Sequence, residues 1–380
     1  MNDGEVMRIT AFYSVLLFLL VVNPAWATNA NFVELDNQLR QQDFAGVIWI
    51  AKGDSIVHNE SFGLANRKKN ITFSDNTVFD IGSITKQFVA SAVLLLAEQN
   101  KLSVNDPLTL FFADVPADKQ AITLHHLLTH TSGLPALLSN HQLYDVVPYS
   151  LLPQKAFSES LQSLPGEQYL YSNIGYSLLA RVIELVSGQN WEGFIRENLL
   201  IPAKMTETGY RIPEYAPHRL AINYGADQNG FQRLFNLQAK SKSVGHSLEH
   251  RFKTPGERWI EGAGGFMSTV NDMQRWFRVL RSGAILTEAS WQQIFTPHVQ
   301  ISEKVFYGYG WSVREFEAGK RLITHNGSNG YSFAEFSYFP DEDVFVFVAT
   351  NERDEYPEAI INDIKRAALS ADSAVPTVTH

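Results

Sequence analysis

No cysteine occurs anywhere in the 380 residues. That excludes disulfides, thiolate metal centres, a cysteine nucleophile and lipid attachment at a leader cysteine. A basic surplus is missing too: the formal charge is −9, the wrong sign for a nucleic-acid surface. There is no glycine-rich loop of the Walker type, so phosphoryl transfer has no support. Internal repeats and low-complexity tracts are absent from the sequence. The N-terminal apolar run, residues 9–22, falls short of the roughly 20 residues that a membrane span needs.

That run reads instead as an export leader. Arg8 precedes it, and Ala25-Trp26-Ala27 fits the small-x-small cleavage rule. Asp3 and Glu5 disturb the positive start of such a leader, which initiation at Met7 would restore. The expectation is a signal peptide over residues 1–27, one folded domain over residues 28–370 and a flexible tail over residues 371–380. The mature protein is then periplasmic or secreted, with no stable membrane span after cleavage. At 45% hydrophobic and 19% charged residues, the composition is that of a soluble globule able to bury a large core.

Hydrophobic patterning separates the chain into three parts. Residues 44–64 alternate around Lys52-Gly53-Asp54 and predict a hairpin. Residues 88–97 are apolar almost all round, which predicts a buried helix. Helical spacing recurs over residues 176–187, ending at Gly188, and over residues 270–280. Strands are predicted at residues 308–313, 322–324, 331–339 and 344–350, with a closing helix over residues 356–369. The polar stretch of residues 238–258 reads as a solvated loop, or as a rim attracting substrate carboxylates. Strands at both ends with helices between them predict an α+β fold. One antiparallel sheet, drawn from residues 40–80 and 300–370, would be flanked by helices and joined by an all-helical subdomain at residues 84–300.

Three short patterns carry chemistry, and each occurs once. Ser83-Ile84-Thr85-Lys86 puts a hydroxyl and an amine on one helical face. A serine hydroxyl needs a neighbouring base to act as a nucleophile, and a desolvated lysine can be that base. Tyr171-Ser172-Asn173 precedes the helix at residues 176–187, and His325-Asn326-Gly327-Ser328 follows a predicted strand. A serine–lysine hydrolase also needs a proton relay, an oxyanion hole and a clamp on the substrate. His126 and His130 stand four apart, as two metal ligands on a helix would. Leu127 fills the place where a metalloprotease carries glutamate, so structural roles are expected for both histidines, and no metal or cofactor.

In their order and spacing these boxes resemble those of the serine β-lactamase and penicillin-recognising DD-peptidase superfamily. The branch most similar holds class C β-lactamases, related DD-carboxypeptidases, D-aminopeptidases and esterases. Leu127-Leu128-Thr129-His130-Thr131-Ser132-Gly133-Leu134, Ala263-Gly264-Gly265 and Tyr307-Gly308-Tyr309-Gly310-Trp311 extend the likeness across residues 44–350. The resemblance implies Ser83 as nucleophile, Lys86 as its proton partner and Tyr171 as relay. A Tyr171 phenol held beside cations would have its pKa lowered from ~10; either Lys86 or Tyr171 could then be the base. Asn173 would hold Lys86 and meet a substrate carbonyl, and the Ser83 and Ser328 amides would form the oxyanion hole. The implied activity is acyl transfer to water from a small-molecule or peptide substrate. D-amino-acid peptides or related amides lead, followed by esters and then β-lactams; a catalytically silent penicillin-binding or sensor protein is the non-enzyme alternative.

The third box departs from class C β-lactamases, which carry Lys-Thr-Gly there. An imidazole at His325 has an ordinary pKa near ~6.5, so its charge is not assured at neutral pH. Asn326 replaces a threonine that helps hold a substrate carboxylate in those relatives. The likeness is therefore better to the His-x-Gly peptidases and esterases.

Overall fold

The computed structural model describes residues 30–225, 242–352 and 357–371, so the expected leader and residues 372–380 of the expected tail lie outside it. Residues 46–51 read Gly-Val-Ile-Trp-Ile-Ala, without a polar position. A strand of that kind needs cover on both faces. As strand β1 (Gly46–Lys52) it sends Val47, Trp49 and Ala51 into one core and Ile48 and Ile50 into another. β2 (Ser55–Phe62) pairs with it as the expected hairpin.

The remaining strands of the sheet come from the far end of the chain. They are β3 (Val299–Ser302), β4 (Val305–Tyr307), β5 (Ser312–Phe316), β6 (Lys320–Ser328), β7 (Phe333–Phe339) and β8 (Val344–Thr350). The order is β2-β1-β8-β7-β6-β5-β4-β3, and each neighbouring pair is antiparallel. Helix α1 (Ala30–Gln41) and the closing helix, Glu358–Ser370, share one core with the sheet through Phe32, Leu35, Ile361 and Ile364. The opposite face meets α2 (Thr85–Glu98), whose residues from Thr85 to Leu94 are all buried. α3 (Leu124–Leu128), α4 (Asn173–Ser187) and α5 (Val270–Ser282) complete that side, and Phe277 of α5 stacks on Phe345 of β8 at 4.5 Å between ring centres.

The α+β arrangement with a large antiparallel sheet is as expected, but three details differ. The middle part is not all-helical: Asn223–Gly225 pairs with Lys242–Gly245, and Phe79–Asp80 pairs with Met267–Ser268. Residues 308–311 form a turn between β4 and β5 rather than a strand. Gly310 there has φ +76, and a Cβ on it would come 2.8 Å from the Lys86 carbonyl oxygen. The turn thus passes too close to α2 for a side chain. The stretch at residues 238–258 is only partly a solvated loop where it is described, from residue 242 onward: residues 253–257 are exposed and irregular, but it also holds a strand, the helix Ser247–Arg251, and the fully buried Arg251 and Arg258.

Candidate active site

The nucleophile candidate is set by a close approach of two backbones. Ser83 lies in a 3-10 turn, Gly82–Ile84, that leads directly into α2. Gly82 has φ +49, and a Cβ there would sit 2.6 Å from the Ser328 nitrogen. From the other side, a Cβ on Gly327 would sit 2.0 Å from the Ile81 carbonyl oxygen and 2.7 Å from the Ser83 nitrogen. Two glycines therefore let β6 run against the turn, with Ser83 and Ser328 lining one cavity of about 60 Å³. Gly327→Ala is expected to push these elements apart and remove one oxyanion donor. The expected loss is about 10²–10³-fold in kcat, measurable as a slowed acylation of Ser83 with the circular dichroism spectrum unchanged.

Lys86 is fully buried. Its Nζ lies 3.1 Å from Ser83 Oγ, 2.8 Å from Asn173 Oδ1 and 2.5 Å from the Ala263 carbonyl oxygen. The last two oxygens can only accept, which uses both N–H groups of a neutral amine and turns its lone pair to the serine hydroxyl. Burial holds the Lys86 pKa well below the ordinary lysine value. Asn173 opens α4 just after Ser172, whose hydroxyl caps that helix by accepting the Gly175 N–H at 3.2 Å. Tyr171 precedes the cap, and its ring centre lies 4.7 Å from Lys86 Nζ.

The expected lowering of the Tyr171 pKa is reversed. Burial raises it, and the hydrogen bond with Ser83 offsets only part of that rise. A lysine tending to neutrality supplies no cation to stabilise a phenolate, so Tyr171 stays protonated. His325 is buried, and its pKa is lowered to about 4 by burial and by Lys86. Both of its ring nitrogens are occupied: Nε2 lies 2.9 Å from the Tyr307 hydroxyl, and Nδ1 lies 2.6 Å from the Asn326 carbonyl oxygen. Asn326 itself is exposed and does not line the cavity. His126 caps its own short helix with Thr123, and His130 follows the end of that helix at φ +59, so the two do not share a helical face. Among the described residues no group of metal-ligating side chains is found.

Several residues at the site carry no pattern of their own. Asp80 accepts the Gly82 N–H at 2.8 Å on one oxygen and Arg251 Nη2 at 2.8 Å on the other, which also takes Asn329 Nδ2 at 3.2 Å. Asp80 and Arg251 are 171 residues apart, so only the lone acid in the apolar run Val78-Phe79-Asp80-Ile81 hints at a buried charge. The Ala263 carbonyl is a backbone group, legible only once the fold is formed.

Comparison with known proteins places this geometry in context. The family model described as Beta-lactamase matches residues 30–371. A penicillin-binding protein of Bacillus subtilis is 27% identical over 88% of this chain and 75% of its own length. A second, putative one from the same bacterium is 30% identical over 74% of this chain and 65% of its own length. Among solved structures, a penicillin-binding protein from Bacillus halodurans superposes with a TM-score of 0.73 at 27% identity, covering 87% of this chain and 98% of that one. The D-amino acid amidase of Ochrobactrum anthropi and the hydrolase EstCE1 share the fold, each with a TM-score of 0.74 at 19% identity; they cover 89% of this chain and 98% and 97% of their own.

Proposed function

The chain belongs to the Beta-lactamase family of serine hydrolases, and from that premise we propose that it cleaves amides or esters of uncharged leaving groups through a Ser83 acyl-enzyme. D-amino-acid amides and related peptides are the leading substrates, and simple esters are the second. The observation that carries the chemistry is the set of contacts at Lys86 Nζ. In the free enzyme Lys86 takes the Ser83 proton as Oγ bonds to the substrate carbonyl carbon. The oxyanion accepts from the Ser83 and Ser328 amides. Collapse of the tetrahedral intermediate breaks the bond to the leaving group, which receives the serine proton back from Lys86, either directly or through the Tyr171 hydroxyl, which takes a proton from Lys86 as it gives its own. Water then repeats the sequence on the acyl-enzyme and frees the acid.

The substrate preference rests on His325. A neutral ring with both nitrogens occupied offers no clamp for a substrate carboxylate, and no lysine or arginine lines the cavity among the described residues. Peptides ending in a free carboxylate and β-lactams, which also carry one, lose that anchor. Esters and amides do not need it.

A panel of a D-alanine anilide, a p-nitrophenyl ester, an acyl-D-Ala-D-Ala peptide and a chromogenic cephalosporin tests this reading. The anilide and ester should exceed the two carboxylates in kcat/KM by at least about tenfold. His325→Lys should shift the ratio towards the carboxylates by roughly 10–100-fold, the range of a charge-assisted hydrogen bond. Fastest turnover of the D-Ala-D-Ala peptide by the wild type would overturn the preference. Failure of a fluorophosphonate to label Ser83 would instead favour a catalytically silent protein. The reading includes export by the leader at residues 1–27, for which N-terminal sequencing of the mature protein is the check.

A further inference from the structure

We propose that His130 and Tyr307 are positioning residues that keep His325 a neutral ring, by aiming a hydroxyl donor at its Nε2 while the Asn326 carbonyl holds the proton on Nδ1, and so set the preference for uncharged substrates; this rests on the reading of the site given above. The argument starts from two backbone groups whose hydrogen-bonding roles admit no choice. At one end the Ser172 N–H points at His130 Nδ1 over 3.1 Å. An amide can only donate, so Nδ1 carries a lone pair and the proton of the neutral ring is on Nε2. That Nε2–H faces the Tyr307 oxygen at 3.3 Å. At the other end His325 Nδ1 lies 2.6 Å from the Asn326 carbonyl oxygen, which can only accept. The His325 proton is therefore on Nδ1, and its Nε2 takes the Tyr307 O–H over 2.9 Å.

The chain of donors thus runs in a single direction, from the Ser172 amide through His130, Tyr307 and His325 to the Asn326 carbonyl. Ser172, His130, Tyr307 and His325 are buried, and only the Asn326 end reaches the surface. A proton added to His325 Nε2 would meet a hydroxyl already aimed at it, and that hydroxyl already accepts from His130. Tyr307 would have to turn its own proton from His325 to the neighbouring Tyr176 oxygen, giving up its bond to the ring. The same holds for a proton added to His130 Nδ1, which would face an N–H. Protonation anywhere therefore breaks at least one buried hydrogen bond.

The surroundings add to this. Tyr171, Tyr307, Tyr176 and Tyr169 surround the His130 ring at 4.3, 4.8, 5.1 and 5.8 Å between centres. A charge on Lys86 would disfavour one on either imidazole, and a charge on His325 would disfavour one on His130. Glu335 is the carboxylate facing His325, and it is held by Lys365, so it offers little compensation. A histidine in the usual place of a cation is in this way kept from becoming one.

The full-length protein with 15N-labelled histidine rings decides the matter. His325 is expected as the Nδ1–H tautomer and His130 as the Nε2–H tautomer, with neither titrating between about pH 5.5 and 8, where a free imidazole would. In Tyr307→Phe the His325 ring should keep its Nδ1–H, because the Asn326 carbonyl remains, but Nε2 loses its donor and should titrate within that window, so that the ratio of KM for the D-Ala-D-Ala peptide to KM for the ester becomes pH-dependent. A wild-type His325 that titrates near ~6.5, or that mixes tautomers, overturns the proposal, as does a His325 that still does not titrate in Tyr307→Phe. Should that variant not fold, the wild-type spectrum decides alone. Pinned tautomers together with fastest turnover of the D-Ala-D-Ala peptide would leave the hydrogen-bond chain standing and sink only the substrate preference.

Discussion

Lys86→Met is expected to lower acylation of Ser83 by at least about 10⁴-fold, the scale seen when one member of a nucleophile–base unit is removed. It should do so without loss of the fold. Methionine fills much of the lysine volume, and of the three oxygens around Nζ two have other ways to be satisfied: Asn173 can turn its amide, and Ser83 faces the cavity; only the Ala263 carbonyl loses its donor. Ser83→Ala should give a loss of the same order, and the two should not add, because each disables the same step. Single-turnover labelling with a fluorophosphonate measures both.

Stability should move the other way. Burial lowers the Lys86 pKa in the folded protein, whereas the unfolded chain holds a proton on it up to ~10.4. Between the lowered value and that limit the unfolded state binds more protons, so this residue's contribution to stability is unfavourable at neutral pH and improves as pH rises. The methionine variant is therefore expected to melt at or above the wild type at pH 7, with the gap closing towards pH ~10. A methionine variant that melts well below the wild type at pH 7 would contradict the neutral-amine reading. The same shift governs activity: kcat/KM should fall on the acid side as Lys86 gains its proton. Tyr171, raised by burial, should give no alkaline fall below its ordinary value of ~10.

The contrast between box residues and their supports explains what the sequence could disclose. Ser83, Lys86, Tyr171, Asn173 and Ser328 were legible because the chemistry demands those residue types within a few positions of one another, at helix starts and a strand end. The main sheet was legible for a similar reason: β1 and β8 are apolar at nearly every position, and only a doubly covered strand accommodates that. Residues 308–313 look like a strand from their aromatic content, but Gly308 lets the turn touch the Ile294 carbonyl and Gly310 lets it touch α2. Arg251 was lost in a polar stretch because its partner Asp80 comes from a distant segment. His130 and Tyr307 are 177 residues apart, and nothing local in either motif announces that one fixes the proton of the other. Local pattern reports what a residue is; its protonation state belongs to the assembled neighbourhood. The reversed expectation for Tyr171 has that same origin, since it takes Lys86 as a cation and burial disfavours that charge.

Asp80→Ala is expected to destabilise the protein by about 3–5 kcal/mol, the range for removing one partner of a buried ion pair. The side chains of Asp80 and Arg251 are 1% and 0% exposed, so a guanidinium left without its carboxylate has no solvent to turn to. Its remaining neighbours include the Tyr210 carbonyl oxygen at 3.5 Å, the Tyr210 ring at 4.5 Å, Met267 Sδ at 3.9 Å and the Tyr144 hydroxyl, none of them a carboxylate. The Gly82 N–H loses its acceptor at the same time, and that amide is one residue from the nucleophile. A fall in Tm of roughly 5–15 °C should accompany the change, together with a lower kcat as the Gly82–Ile84 turn loosens. Adding Arg251→Met separates the charge from the cavity. If the unpaired charge dominates, the double variant recovers a large part of the lost stability, since an apolar pair of similar volume can replace a buried ion pair. Activity should not recover with it, because Gly82 still lacks the oxygen that fixes its φ of +49. A double variant less stable than Asp80→Ala alone would show that Arg251 acts through packing against Tyr210 rather than through its pairing with Asp80.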